Sequence, residues 1–376
     1  MDPARPSADV LRSLTDGHVL RALMAHRRLT RAELAAGTGI SKPTVSESVR
    51  RLAAAGLVAD TGERTTGRGR VGSYYALADD VGGALVLDVA PEGIRAEVLD
   101  AHGDVLGAAD EPVGHPAPAR EVSDALAAAA RRAVEGGRRR VRLAVVSAAD
   151  PVDRATGRLV HLPDAPFLIG ELSPARALAD LVDGPVLVDN DVNWAARAER
   201  GAGREALDDF AYLHLGDGLG CAVVNDGVVR RGHAGLVGEI AHLTTTGPDG
   251  RAVPLTAVFA ALGLRRPGST AVDGAAVRAA VERDDARGRE VRTALARAVC
   301  GVLAGLVALA DPELVVVGGN WGPAPAVLDA VREEFARLPR HVPVRPARVT
   351  DRAPLAGARA HALDALRAAI ADVGGR

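Results

Sequence analysis

Apolar residues recur at helical spacing through the first fifty residues, and the period then changes. Val19, Leu20, Leu23 and Met24 make one stripe of a first helix. A second helix opens at Thr30-Arg31-Ala32-Glu33, where Thr30 can cap and Glu33, three residues on, can reciprocate. It turns Leu34 and Ala35 inward and stops near residues 37–39. Ile40 leads to Ser41, a good N-cap, and a third helix carries Val45, Val49 and Leu52 inward. Two short helices joined by a turn containing Gly39 have the helix-turn-helix signature. Leu57 and Val58 start a strand, residues 63–70 form a basic, Gly-rich turn, and Tyr74, Tyr75 and Leu77 return as a second strand.

The exposed side of the third helix carries Lys42, Thr44, Ser46, Glu47 and Arg50. Small polar groups near its N-terminal end can approach base edges, while Lys42 and Arg50 can hold phosphates. Arg68 and Arg70, at the hairpin tip, are suited to a minor groove or the flanking backbone. A protein-binding module with a solvated basic surface is the alternative reading of the same pattern.

From about Gly83 the pattern becomes strands alternating with Ala-rich helices. Strands are expected at 84–89, 93–99, 141–147, 186–188, 211–215, 221–225 and 314–317. Helices are expected near 123–134, 174–181, 194–200, 291–310 and 326–335. This alternation predicts an α/β fold, with 291–310 packed in a core.

Composition sharpens that division. The 376 residues suffice for two or three domains, and 48% are hydrophobic although only 2% are aromatic. Net charge is −2, but residues 21–76 carry +6, which leaves −8 on the remainder. A basic head on an acidic body suits a nucleic-acid module joined to something with another task. Cys221 and Cys300 are too few and too isolated for a disulfide framework or a four-cysteine zinc site. The first residues show no charged stretch leading to an apolar run and a cleavage site. The longest uncharged run, residues 314–328, is too short and too interrupted for a membrane span. A cytoplasmic protein without a membrane partner is expected.

The most informative constellation is Asp189-Asn190-Asp191-Val192-Asn193, directly after Val186-Leu187-Val188. Side chains at the C-terminal edge of a strand, where a helix starts, face the cleft of an open sheet. A carboxylate and an amide there can hydrogen-bond adjacent carbohydrate hydroxyls. The same residues can equally serve as an Asx turn capping the following helix. Glu239 and His242 lie three apart and would share a face on a helical turn, although a His there is commonly just a satisfied core residue. Gly216-Asp217-Gly218-Leu219-Gly220 is a Gly-rich turn between strands, a weak sign of phosphate approach.

Taken together these segments resemble the ROK family of repressors and sugar kinases. The resemblance covers nearly the whole chain. In the head it rests on Arg31-Ala32-Glu33-Leu34-Ala35, on Gly39-Ile40-Ser41-Lys42-Pro43-Thr44-Val45-Ser46 and on Gly67-Arg68-Gly69-Arg70. In the body it rests on Pro151-Val152-Asp153 with Gly157, the 189–193 segment with Glu199, the 216–220 turn, Gly238-Glu239, His242 and Asp311-Pro312-Glu313. It implies that Asn190, Asp191, Glu239 and His242 hydrogen-bond a sugar, with Asp191 matching the catalytic base of the kinases.

Three departures accompany it. The first strand of the kinases carries Asp-x-Gly-Gly-Thr, which holds the ATP phosphates, whereas this one ends Asp88-Val89-Ala90-Pro91-Glu92. Proline removes a donor and Glu92 repels a triphosphate. The zinc-binding cysteine cluster after the histidine is missing from 243–254, so no metal is expected. The glutamate that closes that cluster has no counterpart, and Ala241 replaces the usual Gly.

The expectation is therefore an N-terminal winged helix-turn-helix (1–78) followed by a two-lobed actin-like, ribonuclease-H-like sugar-kinase fold (83–376), with its cleft near 189–193. The function expected is that of a sequence-specific, non-enzymatic transcription regulator of the xylose or N-acetylglucosamine repressor type. It would need no cofactor and would bind a palindromic double-stranded operator as a homodimer or tetramer. A sugar or sugar phosphate is the expected effector. The alternatives are an effector-independent repressor and an ATP-dependent sugar kinase with a regulatory head.

Overall fold

The computed structural model describes residues 8–66, 71–114, 116–162 and 166–373. The head comprises α1 (Ala8–His26), β1 (Arg28–Thr30), α2 (Arg31–Thr38), α3 (Lys42–Ala54), β2 (Val58–Arg64) and β3 (Ser73–Leu77). Local chemistry sets its boundaries. Thr30 and Glu33 form a complete capping box at the start of α2, and Gly39 ends that helix in the left-handed conformation at φ 70°. Ser41 Oγ caps α3 by accepting from Thr44 N. The strand β1 is an addition to the sequence expectation: it pairs with β3, which pairs with β2, so the wing is a three-stranded antiparallel sheet.

The first lobe contains β4 (Gly83–Ala90), β5 (Gly93–Leu99), β6 (Val105–Glu111), β7 (Ala117–Pro118), α4 (Ala119–Gly137), β8 (Val141–Ala148), β9 (Leu168–Ile169), α5 (Pro174–Ala177) and β10 (Val186–Asn190). From it, α6 (Asp191–Gly201) leads to the second lobe. That lobe contains β11 (Phe210–Leu215), β12 (Leu219–Asn225), β13 (Val228–Val229), β14 (Thr244–Thr246), β15 (Ala252–Pro254), α7 (Leu255–Leu262), α8 (Gly274–Val281), α9 (Ala286–Ala310), β16 (Leu314–Gly318), α10 (Pro325–Phe335) and β17 (Val344–Pro346). The chain closes with α11 (Ala353–Val373), which returns to the first lobe.

The two five-stranded sheets repeat one topology. The first runs β10-β8-β4-β5-β6 and the second β13-β12-β11-β16-β17. In each, the opening strand pairs antiparallel with the next strand in sequence and parallel with a later one. The C-terminal ends of β4, β8, β10, β11 and β16 consequently converge on one inter-lobe cleft, where open parallel sheets bind ligands.

The expected α/β alternation is present, with differences. The helix near 174–181 shortens to α5, whose cap Leu178 already leaves the helix, and β6, α7, α8 and α11 are additional. The helix α9 is long and apolar enough by composition to cross a membrane. Its inward face is the spine of the second-lobe core, from Val291 through Leu295, Val299 and Leu303 to Val307.

A further core joins the head to the body. Val19, Leu20, Leu23, Val45 and Val49 form one cluster with Val86 of β4, Trp194 of α6, and Leu355, Ala362 and Leu366 of α11. A bidentate Arg27–Asp104 ion pair flanks it, and the His102 ring nitrogen contacts Met24 O at 3.1 Å. Burying several aliphatic side chains at about 1.5–3 kcal/mol each makes this a cohesive junction, not a tether.

Candidate functional site

The first candidate surface lies on the head. Lys42, Thr44, Glu47 and Arg50 are exposed on α3, and Ser46 is half-buried. Lys42 and Thr44 occupy the first turn beside Ser41, whose Oγ lies 2.8 Å from Thr44 Oγ1. Arg50 is engaged rather than free: its guanidinium donates to Glu47 at 2.6 and 3.1 Å. Releasing a phosphate-binding charge there means opening an exposed ion pair, which costs little. Arg68 and Arg70 lie outside the described residues. On the opposite side, Arg51 donates to the buried Asp16 of α1 at 2.7 and 3.2 Å, and the Ser48 hydroxyl donates to the same carboxylate. This network holds α3 against α1 and escaped the sequence reading. Its signal was Ser48, a polar residue three positions after Val45 on the inward face.

The second candidate is the inter-lobe cleft, a cavity of about 550 Å³. Asn190, Asp191 and Glu239 line it together with Asp88, His214 and Arg352. Asn190 fills the capping role, and its amide also ties it to the end of β8. Its Oδ1 caps α6 by accepting from Val192 N at 3.0 Å, while its Nδ2 donates to Ala148 O and Asp150 O. Asp191 opens α6 and accepts from Val192 N at 2.7 Å. Asp189 turns away from the cleft. It is buried, pairs with Arg197 at 2.8 Å and Arg231 at 3.1 Å, and accepts from Asn193 Nδ2.

Glu239 and His242 do not share a helical face. The segment 231–243 is a succession of turns, because Gly235 and Gly238 sit at φ 94° and 98°. A Cβ on Gly238 would stand 1.7 Å from Cys221 O, so only glycine permits the Cys221 N–H to donate to Gly238 O at 2.9 Å. That contact delivers Glu239 to the cleft. His242 is exposed and lines an adjoining pocket of about 90 Å³, which it shares with Glu239 and Asp150.

Electrostatics single out a set of acids. Burial pushes the Asp88 carboxyl up to about 6, and burial does the same to Asp150. Glu239 rises to about 7 through burial and the neighbouring Asp150. Asp191 is driven well above the usual carboxylate range by desolvation deep in the cleft and by Asp88, Asp150 and Glu239. Burial lowers His214 to about 4, so its imidazole is neutral at physiological pH. Asp150, His214 and Arg352 are the residues that the sequence reading missed. Asp150 stands directly before the quoted Pro151-Val152-Asp153, whereas nothing local marks Arg352.

At the expected phosphate turns, Pro91 and Glu92 line the cleft after β4. In the 216–220 turn Asp217 is buried, with Arg266 paired to one carboxylate oxygen and Asn320 Nδ2 donating to the other at 3.0 Å. Both turns therefore present carboxylates. Among the described residues no group of three His, Cys, Asp or Glu side chains is placed to hold a metal ion.

A winged helix-turn-helix set on a bilobed, sugar-kinase-like body defines the architecture of a DNA-binding regulator. The ROK family profile matches residues 85–365, and the MarR family profile matches residues 12–69. The chain belongs to the ROK family. It is 28% identical over 272 residues to the N-acetylmannosamine kinase of Salmonella typhi, covering 65% of this chain and 87% of that protein. It is 30% identical over 160 residues to the bifunctional enzyme NanE/NanK of Brucella suis biovar 1, covering 42% of this chain and only 30% of the enzyme.

Among solved structures, a ROK family transcriptional regulator, homolog of the E. coli MLC protein, superposes at TM-score 0.65. That likeness covers 97% of this chain and 99% of that one at 18% identity. A ROK family glucokinase from Streptomyces griseus, in complex with glucose and AMPPNP, superposes at TM-score 0.55 with 26% identity. It covers 74% of this chain and 99% of the glucokinase.

Proposed function

We propose that the protein is a sequence-specific transcription regulator, acting as a repressor of carbohydrate-related genes, whose grip on DNA responds to a sugar in the inter-lobe cleft. In this reading Lys42, Thr44, Ser46, Glu47 and Arg50 face the major groove, and Arg68 and Arg70 of the wing reach the flanking backbone. Pairing of two bodies spaces two recognition helices on a palindromic site. Asp191 accepts a sugar hydroxyl, Asn190 and Glu239 orient the ring, and His242 contacts it from the adjoining pocket.

The observation that carries the reading is the continuity of the structure between the two surfaces. Asp191 is the first residue of α6, α6 packs along α11, and α11 shares a core with α1 of the head. A ligand that bears on Asp191 thus has a packed route to the orientation of α3, and differential affinity for two head arrangements is what an effector needs.

The relatives named as kinases and the retained Asp191 favour a second reading, a sugar kinase with a regulatory head. Pro91, Glu92 and the Asp217 carboxylate oppose it, because each is ill-suited to a triphosphate.

One experiment separates the readings. The purified protein is titrated onto DNA upstream of its own and neighbouring genes, with and without a sugar panel, and sugar-dependent ATP turnover is measured in parallel. Specific binding relieved by a sugar, without ATP turnover, is the expected result. Sugar-dependent turnover without specific DNA binding would overturn it.

A further inference from the structure

Four carboxylates from four separate segments surround the joined cavities. Asp88 lies two residues before the end of β4, Asp150 follows β8, Asp191 opens α6, and Glu239 follows the Gly235–Gly238 turns. None of the four is in an ion pair with Arg, Lys or His among the described residues, although the other buried acids of the body, Glu97, Asp189, Glu199 and Asp217, each pair with an Arg. Asp88 is nearly solvent-free and its Oδ1 makes no well-formed hydrogen bond among the described residues, while the buried Ser147 hydroxyl beside it on β8 gives its carboxyl only weak support. A buried acceptor left open in this way is costly unless a ligand donates to it.

The smaller cavity is enclosed by Asp150, Glu239, Phe167, Val272 and His242, with Asp217, paired to Arg266, at its edge, and among the described residues no Arg or Lys lines it. Arg352 lines the larger cavity near Asp88, and Arg95 is occupied by Glu97 and Asp110. Glu92 adds further negative charge to the wall of the larger cavity, whereas Asp110 and Glu111 there are paired with Arg95 and Arg132.

Resting on the reading of this cleft as the effector site, we propose that it recognises a polyhydroxyl ligand bearing a protonated amine, an unacetylated amino sugar. The ammonium would sit between Asp150 and Glu239, with Asp88 and Asp191 accepting ring hydroxyls. An ammonium offers three N–H donors around one charge, which suits carboxylates distributed over several sides of a cavity. The described His, Cys, Asp and Glu side chains are not grouped tightly enough for a bare metal ion. The acid-lined wall also turns away phosphorylated sugars through like-charge repulsion. Acetylation removes the charge that the carboxylates would pair with.

The test uses the full chain and isothermal titration with glucosamine, mannosamine and galactosamine. Each is compared with its parent hexose, its N-acetyl derivative and its 6-phosphate, at a pH about one unit below the ~8 of an α-amino group. The expected result is one amine binding at least about tenfold more tightly than its parent and its N-acetyl form. Asp150→Asn is expected to reduce that preference to about twofold. The wild-type comparison decides the matter by itself if this variant fails to fold. Equal or tighter binding of the parent, acetylated or phosphorylated sugars would overturn the amine proposal and leave a sugar-responsive regulator standing. Binding of no sugar in the panel would overturn both.

Discussion

Gly357 sits inside α11 where that helix crosses α6, at the contact that would link the cleft to the head. A Cβ built there would lie 2.0 Å from the carbonyl oxygen of Trp194 and 3.3 Å from the amide nitrogen of Ala198. Ordinary contact begins near 3.5 Å, so Gly357→Ala must part the two helices by roughly 1–1.5 Å. Helix propensity alone favours the substitution by about 1 kcal/mol. Overpacking against immovable backbone costs ~1–3 kcal/mol, and sometimes more.

We expect the clash to win, for a net loss of about 1–2 kcal/mol and a Tm lower by roughly 2–8 °C. Because α6 begins at Asp191, the same shift should weaken any sugar response of DNA binding. Gly305 of α9 supplies the control. Nothing lies within 4 Å of its added Cβ, so Gly305→Ala should raise stability by about 0.5–1 kcal/mol. Thermal melts of the two variants should move in opposite directions. A rise in Tm for Gly357→Ala would refute the close α6–α11 contact.

Three more outcomes follow from the geometry. Lys42→Ala should weaken binding to all DNA sequences alike and reduce the slope of log affinity against log salt by about 1, read from titrations at several salt concentrations. Arg51→Ala leaves the buried Asp16 without its cation. Because Arg51 is itself partly exposed, we expect a loss of about 2 kcal/mol, below the range for a fully buried pair, seen in denaturation of the head and in loss of DNA binding. The folded-state pKa of Asp88 lies above its unfolded value, so its stabilising contribution is full below about 4 and is lost as pH rises through about 6. Asp88→Asn should therefore stabilise the protein above pH ~7 by about 1–3 kcal/mol and do little at pH ~4. Equal gains at both pH values would exclude titration of Asp88 as the cause.

The legible parts were those whose causes are local. Thr30 and Glu33 form a reciprocal box and Ser41 accepts from Thr44 N, both within one helical turn, so residue type and spacing suffice to announce the caps. The Val-rich strands and the inward face of α9 are equally readable, because period and burial are properties of a single element. The segment around Asn190 was readable in position but ambiguous in role. Its Oδ1 caps the helix while its lining of the cleft depends on a second sheet.

What escaped was decided by distant chain. Glu239 and His242, three apart, suggested a helical turn. The carbonyl of Cys221, pressed against Gly238, instead imposes a left-handed turn, so that both line the small pocket while only Glu239 also reaches the main cleft. Asp150 acquires its environment from Leu168 N and Glu239, eighteen and eighty-nine positions away, and Arg352 reaches the cleft only because α11 folds back onto the first lobe. The repeated topology of the two lobes left no trace in residue identity, since strand order is set by pairing between segments and many side chains satisfy the same pairing. The sequence by itself determined the helix caps, the strand and helix periods and the basic head on an acidic body. Only the tertiary structure decided which acids share a cavity and which helix packs against both the cavity's α6 and the head, because those depend on contacts between segments far apart in the chain.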